Sequence, residues 1–176
     1  MICRLDANRR PIEATVPVKL EILTAADAAE YVEFRRGAKL SDIHQRLDQG
    51  FRCYVARCND RLVSASWVAN RWAILWVLDA VFELDKDQIY VFDSYTLNEF
   101  RGQRVQPAIF ARLAADALEH GCKHAILFVE PENRPNIVSR RRLGFVPGGL
   151  VVRLKIGPWR WYSSRENAPK MRRRLP

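Results

Sequence analysis

The segment from residue 88 to residue 129 restricts the fold more than any other part of the chain, because strand-like and helix-like patterns alternate in it. Residues 88–97 are rich in aromatic and β-branched side chains, which predicts a strand. A polar loop follows, and then apolar side chains recur at helical spacing from Pro107, the predicted first helical residue, to Gly121 at the helix end. Residues 125–129 are almost entirely apolar, as expected of a strand covered on both faces. This alternation predicts a mixed α/β domain.

Shorter elements surround this unit, and together they predict helices first, then antiparallel strands, then a β-α-β-α-β run. Asn59 and Asp60 form a turn signal between two strands, and the aromatic stretch 72–84 fits either a strand or a short apolar helix. The opening, to residue 16, is polar and predicted to be irregular. The remaining predicted elements are strands at 18–23, 51–58, 62–68 and 146–156 and helices at 24–36, 40–49 and 135–143.

Length and composition limit the class of protein. A chain of 176 residues with 48% hydrophobic and 28% charged residues is typical of a globular protein with its own core, which excludes disorder as the main state. The longest apolar stretch, 72–82, contains Asp79 and is shorter than the ~20 residues that a membrane-spanning helix needs. Charged residues near the start predict no cleaved leader. The four cysteines form no C-x-x-C pair, so we predict reduced thiols, no metal site and a cytoplasmic location.

The net charge of +9 is unevenly distributed along the chain. Residues 158–176 hold much of the basic excess, and a second basic cluster consists of Arg140, Arg141 and Arg142. Such clusters attract polyanions, including nucleic acid, anionic lipid, phosphorylated cofactors and acidic carrier proteins. The Gly-Pro step at 157–158 predicts a boundary between a main domain, 1–157, and a basic, aromatic-containing C-terminal segment, 158–176.

The loop between the predicted strand and the long helix has the features of a phosphate site. The sequence IYVFDSYTLNEFRGQRVQP, residues 89–107, runs from the strand through a tight loop directly into the helix. The first turn of a helix has unpaired N–H groups and partial positive charge, so it can hold a phosphate or a pyrophosphate. Arg101 and Arg104 add positive charge. The alternative is an ordinary strand–helix connection with surface arginines.

A second motif follows at residues 130–145. Its sequence EPENRPNIVSRRRLGF places Asn133 eleven residues before Gly144 in a Leu-Gly-Phe ending. In this order the two segments resemble the GNAT superfamily of acyl-CoA-dependent N-acyltransferases, which carry an R/Q-x-x-G-x-G/A loop after a strand and later an Asn, a short helix and Leu-Gly-Phe. The resemblance covers residues 88–145. It implies an α/β fold with a mixed, mostly antiparallel sheet, helices on both faces and a splayed central strand pair.

The resemblance also implies where an acyl-CoA would bind. The backbone of residues 94–96 would pair with the pantetheine arm as an added strand, the loop 101–106 would hold the pyrophosphate, and Asn133 would hydrogen-bond the arm. The residues implied in cofactor binding are Ser94, Tyr95, Thr96, Arg101, Gly102, Gln103, Arg104, Val105, Gln106, Asn133 and Arg140.

For catalysis, the resemblance places the reacting thioester beside Asp93, Tyr95 and Glu130. Acyl transfer to an amine requires a base or a water chain that removes the amine proton, and Asp93 is the first candidate base, followed by Glu130. A backbone N–H of the splayed strand would stabilise the developing oxyanion. The group that protonates the leaving thiolate is predicted to be Tyr95, Tyr162 or water.

Several positions depart from the family pattern. Arg104 and Gln106 stand where members usually have Gly or Ala, so their side chains point outward, bind the phosphate or block the loop. Pro107 withholds one N–H from the loop. Arg140 stands where many members have a Tyr that protonates the thiolate; an arginine cannot donate a proton near neutral pH, but it can stabilise a thiolate or bind a phosphate.

Three functional hypotheses follow. The first is a GNAT-fold acyltransferase that uses acetyl-CoA or another acyl-CoA, and no metal, to acylate a small-molecule or peptide amine. The second takes a longer acyl chain from acyl carrier protein, in which case Trp67, Trp72 and Trp76 would line a pocket instead of the core. The third is an inactive GNAT-fold module that binds a protein partner or nucleic acid through the basic tail, although we do not expect nucleic acid as the partner. A homodimer through the last strands remains open.

Overall fold

The computed structural model describes residues 1–7, 12–75, 78–156, 159–166 and 171–173, and gives only the backbone of those at 155–156, 159–160, 164–166 and 171–173. The chain forms two compact units. The first unit consists of Leu5–Ala69 and Val91–Gly121, and the second unit of Met1–Arg4, Asn70–Tyr90 and Cys122–Pro176. Within the described part of the chain, no helix combines the length and the apolar character needed to cross a membrane.

The described residues of the first unit form a sheet with three α-helices. Strands β2, β3 and β4 pair antiparallel, and the last part of β7 lies beside β4. Asn59 and Asp60 join β3 to β4 with positive φ values of 49° and 61°, which confirms the predicted turn. The elements of this unit are β2 (Lys19–Ile22), α1 (Ala28–Phe34), α2 (Leu40–Asp48), β3 (Arg52–Cys58), β4 (Arg61–Ala69), the end of β7 (Gln88–Thr96) and α3 (Val105–Glu119).

The predicted helix at 24–36 begins with Thr24, as the sequence indicates. The backbone N–H and the hydroxyl of Thr24 donate to the Asp27 carboxylate at 2.8 and 2.6 Å. The first of these bonds pairs the backbone N–H at the N-cap, as in a capping box. The helix is divided into a 3-10 turn, Ala25–Asp27, and α1.

Trp67 marks the core of the first unit. Its side chain is fully buried, and its indole N–H donates to the hydroxyl of Tyr31 on α1 at 2.8 Å. Trp67 therefore packs in the core, as one of the two sequence interpretations expected. Its neighbour Ser66 faces the opposite side of β4 and bonds to Gln106 on α3. Helices consequently cover both faces of this sheet, as predicted.

Within its described residues, the second unit contains the remaining strands and one α-helix. The start of β7 pairs parallel with β8, and β1 pairs antiparallel with β8 on its other side. Phe82, Tyr90 and Phe128 form an edge-to-face aromatic cluster with ring centroids 5.0–5.7 Å apart. The other elements are β1 (Ile2–Arg4), β5 (Trp72–Leu75), β6 (Ala80–Glu83), β8 (His124–Ile126), α4 (Arg134–Arg142), β9 (Gly149–Ile156), β10 (Trp159–Glu166) and β11 (Met171–Arg173).

The structure differs from the sequence prediction in three elements. The opening is not wholly irregular, because β1 pairs with β8. The ambiguous stretch 72–84 forms two antiparallel strands, β5 and β6, and Trp76 lies outside the described residues. Helix α3 begins at Val105, so Pro107 is its third residue rather than its first. The predicted boundary at 157–158 also lies outside the described residues. The strands on its two sides, β9 and β10, pair antiparallel with each other.

Candidate functional site

The last part of β7 carries a local irregularity at Asp93. This residue has a φ of 44°, in the left-handed region that Asp and Asn tolerate better than other side chains. One such residue inside a strand is typical of a β-bulge, which re-aims the neighbouring side chains. As a result, Asp93 and Tyr95 contact residues of the α1–α2 segment, whereas Ser94 and Thr96 contact β4 on the α3 side.

The carboxylate of Asp93 lies between two guanidinium groups. Arg35 donates to Oδ1 from Nε at 3.4 Å and from Nη2 at 3.2 Å, and Arg46 donates to Oδ2 from Nη1 at 2.8 Å. Each carboxylate oxygen has two lone pairs, so Oδ2 can accept one further hydrogen bond. We call these three residues the Asp93 cluster.

Aromatic rings support both arginines of the Asp93 cluster. The guanidinium carbon of Arg35 lies 4.5 Å from the ring centroid of Tyr95, and that of Arg46 lies 5.0 Å from Trp67 and 5.5 Å from Phe92. Such cation–π contacts stabilise guanidinium groups and fix their orientation. The hydroxyl of Tyr95 has no hydrogen-bond partner among the described residues, so it is available to a ligand.

Cys53 is fully buried in this region and is not a nucleophile. Burial, and then the nearby negative charge of Asp93, raise the pKa of its thiol well above the usual value. A buried thiol that remains protonated is chemically inert. The site therefore offers a carboxylate and a free hydroxyl, and no activated cysteine.

On the opposite face, Gln106 connects α3 to two strands. The two hydrogens of its Nε2 are shared among three acceptors, the Ser64 hydroxyl at 2.8 Å and the carbonyls of Ala65 and Tyr95 at 2.9 and 3.1 Å. Its Oε1 accepts from the Ser66 hydroxyl at 3.0 Å. The Gln106 side chain is thus held against β4 and β7 by four polar partners.

The loop before α3 presents unpaired backbone donors. Gly102 and Arg104 have positive φ values of 77° and 59°, and Arg104 is the residue that caps the helix start. Among the hydrogen bonds of the described residues, none is donated by a backbone N–H of residues 102–106. Arg101 folds back toward the strand, with its Nε 3.3 Å from the Thr96 carbonyl. Free N–H groups at a helix start fit a phosphate group.

The predicted residues of the second unit lie before α4, on α4 and on β10. The Asn133 side chain caps this helix by accepting from the Asn136 N–H at 3.3 Å, and Glu130 is exposed. Arg140 donates from Nε to Asn136 Oδ1 at 3.1 Å, and desolvation lowers the pKa of its guanidinium. Tyr162, the alternative acid, donates its hydroxyl toward the carbonyls of Leu78 and Asp79, both at 3.0 Å. No group of three or more metal-ligating side chains occurs among the described residues.

The strand, the loop with free N–H groups and the long helix match a known sequence family. The profile of the Acetyltransferase (GNAT) family covers residues 20–145. The chain belongs to the GNAT acetyltransferase family. This confirms the resemblance and the mixed, mostly antiparallel α/β fold that it implied. No curated protein sequence matches the chain closely enough to count as a relative.

Solved GNAT structures share this fold at low sequence identity. Aminoglycoside N-acetyltransferase AAC(6')-Iy in complex with CoA matches with a TM-score of 0.64 and 15% identity, over 78% of this chain and 98% of that chain. AAC(6')-Ih from Acinetobacter baumannii gives 0.66 and 12%, over 80% and 99%. A ribosomal-protein-alanine N-acetyltransferase from Brucella melitensis biovar Abortus 2308 gives 0.59 and 16%, over 80% and 100%. At such identities the likeness supports the fold alone.

The fold of the first unit brings most of the predicted site residues together, and it adds two that the sequence analysis missed. Asp93, Ser94, Tyr95 and Thr96 lie on one strand, and the loop 101–106 is tied to that strand through Gln106 and Arg101. Arg35 and Arg46 were not predicted, because they are 58 and 47 positions away from Asp93 and no local pattern marks them.

Proposed function

We propose that this chain is an acyl-CoA-dependent N-acyltransferase that transfers an acyl group, acetyl in the simplest case, directly to an amine. The observation that carries this proposal is the row of unpaired N–H groups at residues 102–106. It follows β7 after a short 3-10 turn, Asn98–Phe100, in a chain whose family is GNAT. Direct transfer is favoured over a covalent enzyme intermediate because Cys53 beside the Asp93 cluster is buried and protonated.

The donor would bind along the end of β7 and the loop. Residues 101–106 supply backbone N–H groups and the positive start of α3 for the pyrophosphate, and Arg104, which is exposed, adds a charge. The backbone of residues 94–96 would pair with the amide groups of pantetheine. Gln106 would position the loop rather than contact the donor, because its side chain is already bonded to β4 and β7. When bound, the acyl-CoA supplies an acyl group activated as a thioester.

We assign proton transfer at this site to Asp93 and Tyr95. Asp93 Oδ2 retains one acceptor position, through which it takes the amine proton directly or through a water molecule. Tyr95 has a free hydroxyl two residues along the same strand, and it would protonate the leaving thiolate. Tyr162 is the weaker candidate, because its hydroxyl is already bonded to two backbone carbonyls.

We also propose roles for three residues of the second unit. Asn133 would hydrogen-bond the pantetheine arm through its amide N–H₂, since its oxygen caps α4. Arg140 would meet the thiolate or a phosphate, because a partly desolvated guanidinium gains from an anionic partner. Glu130 would be the alternative base. We also propose a cytoplasmic location, because the four cysteines are free thiols.

A thermal-shift titration with CoA, acetyl-CoA and long-chain acyl-CoA tests the donor. A ligand that binds only the folded state stabilises it by about 2.7 kcal/mol at one hundred times its dissociation constant. We expect a shift with CoA and acetyl-CoA, followed by release of free thiol when an amine acceptor is added. No shift with any CoA species would contradict the proposal, and stabilisation by an acyl carrier protein alone would favour the carrier-fed alternative.

A further inference from the structure

We propose that the acceptor amine also carries an acidic group, a carboxylate or a phosphate, which Arg35 and Arg46 bind beside Asp93. The inference rests on the proposed N-acyltransferase activity, because it names the class of amine that this site selects. It concerns residues of the first unit only.

The Asp93 cluster carries one more positive charge than negative charge. Two guanidinium groups share one carboxylate, and the described part of the chain gives neither arginine another acidic partner. The side chains of Arg35, Arg46 and Asp93 are only 35%, 21% and 22% exposed. A partly desolvated cation is stabilised by an anion far more than a fully hydrated one is, so the cluster favours an anionic ligand.

Free donors on both arginines give that ligand specific contacts. Nη1 of Arg35 and both Nε and Nη2 of Arg46 donate no hydrogen bond within the described residues. The planar fork of a guanidinium group matches two oxygens of a carboxylate or a phosphate. The two arginines therefore use only part of their N–H groups to bind Asp93, and the rest are available to a ligand.

The arginines are also held in place before any ligand arrives. Tyr95 lies under Arg35, and Trp67 and Phe92 lie under Arg46, at the distances given above. A side chain that is already ordered loses little entropy on binding, which increases affinity. The same arrangement disfavours a polycationic amine, because its additional ammonium groups would be repelled by the surplus positive charge.

The position of the cluster links acid recognition to the reaction. Asp93 is both the shared partner of the arginines and the proposed base, and Ser94 to Thr96 follow it immediately on β7. An amine anchored by its acidic group at Arg35 and Arg46 would therefore lie beside the carboxylate that removes its proton. Such anchoring lowers the entropy cost of bringing the amine to the acyl group.

The test is calorimetric binding of matched amines to the CoA-saturated protein. One set is phenylalanine, phenylalaninamide and phenethylamine, and a second is phosphoethanolamine and ethanolamine, so the two sets separate carboxylate from phosphate recognition. We expect an acid-bearing member to bind about tenfold more tightly, or more, than its counterpart that lacks the acidic group, with weaker binding at higher ionic strength. Equal affinities within both sets, or no binding of any acid-bearing amine, would overturn the inference.

Variants test whether Arg35 and Arg46 bind the acidic group of the amine. R35M and R46M should lose the preference for the acidic amine, and R46K, which keeps the charge without the fork, should lose part of it. R36M is the matched control, because Arg36 is the exposed neighbour of Arg35 and should bind the acidic amine as the unaltered chain does. D93N should bind the acid several-fold more tightly, since it removes the competing carboxylate. A purely structural cluster would predict the reverse, weaker or unchanged binding in D93N.

Failure of this inference is distinguishable from failure of the proposed function. CoA binding is measured first, in the same titration series and for every variant. If CoA does not bind, the N-acyltransferase proposal is wrong. If CoA binds and the amines within each set are bound or acylated alike, only the acid-bearing acceptor is wrong.

Discussion

Two clusters in the first unit use arginine and carboxylate groups in opposite proportions. One guanidinium group, that of Arg57, donates to Glu21, Asp27 and Glu30 at 2.6–3.0 Å. In the Asp93 cluster one carboxylate accepts from two guanidinium groups instead. The first arrangement has an excess of negative charge and the second an excess of positive charge.

The two clusters also differ in whether their remaining groups are paired. Around Arg57, each carboxylate has a second donor: Lys19 for Glu21, Thr24 for Asp27 and the Leu62 N–H for Glu30. The arginines of the Asp93 cluster retain unused N–H groups instead. The comparison indicates that a fully paired cluster connects β2, β3 and α1, whereas an incompletely paired one has capacity for a ligand.

Replacement of Asp93 should have the largest effect on activity. We expect D93N to lower kcat/KM by about 100-fold or more, because it removes the proposed base. Asn also tolerates a left-handed φ, so the free energy of unfolding should fall only through the loss of the charged partner of Arg35 and Arg46, by about 1–3 kcal/mol. Steady-state kinetics and urea unfolding measure the two effects. D93A is the comparison variant, which should add about 1 kcal/mol of backbone strain, and full activity in D93N would exclude Asp93 as the base.

Replacement of Arg57 should instead affect stability. We expect R57M to lower the free energy of unfolding by about 2–3 kcal/mol, because three carboxylates lose their common partner while remaining partly exposed to water. The kcat of the folded fraction should not change. R61M is the control: Arg61 and its partner Glu99 are 63% and 52% exposed, so its loss should cost less than about 0.5 kcal/mol. A loss of activity without a loss of stability in R57M would remove the distinction between the clusters.

The guanidinium group of Arg104 has no partner among the described residues. We expect R104G to weaken CoA binding by about tenfold through loss of one charge-assisted contact to phosphate. The variant should be as stable as the unaltered chain or more stable by up to about 1 kcal/mol, since glycine relieves the left-handed φ of 59°. CoA affinity that is unchanged in R104G would show that the backbone N–H groups alone hold the phosphate.

The smallest expected effect is a change in acid stability. Hydrogen bonds from Thr24, and then the charge of Arg57, lower the pKa of Asp27 below its ordinary value. A carboxyl whose pKa is lower in the folded state stabilises the fold above the unfolded pKa, and this contribution is lost as pH falls through the folded pKa. D27N should therefore show a weaker loss of stability between pH 5 and pH 2, measured by urea unfolding. An unchanged pH dependence would exclude this contribution of the Arg57 cluster.

The sequence predicted the elements whose pattern is local. The alternation in residues 88–129 identified β7, α3 and β8, because apolar spacing reflects which face is buried. Strand β1 was missed because three residues carry too little pattern, and its conformation depends on pairing with β8. The start of α3 was placed too late because proline favours the first helical position, whereas Pro107 is the third residue of the helix.

The site was predictable only in part, because the sequence shows local patterns but not contacts between distant positions. Asp93, Tyr95 and the loop residues follow one another in the sequence, and a motif of that kind can be recognised. Arg35 and Arg46 come from the α1–α2 segment, and only the fold brings them to Asp93. The direction of the Gln106 side chain was not predictable either, because it depends on hydrogen bonds with Ser64, Ser66 and two backbone carbonyls that only the fold brings together.

The contacts of Gln106 bear on how this sequence can change during evolution. Ser64 and Ser66 each have a second hydroxyl neighbour, because Ser64 Oγ lies 2.7 Å from the Thr96 hydroxyl and Ser66 Oγ lies 2.9 Å from the Ser94 hydroxyl. A small residue of the kind that GNAT proteins usually have at position 106 would therefore leave both serines with a partner, and its cost would be that of the lost amide contacts, about 1–3 kcal/mol. The position can accordingly change in a single step, without prior substitution of the serines.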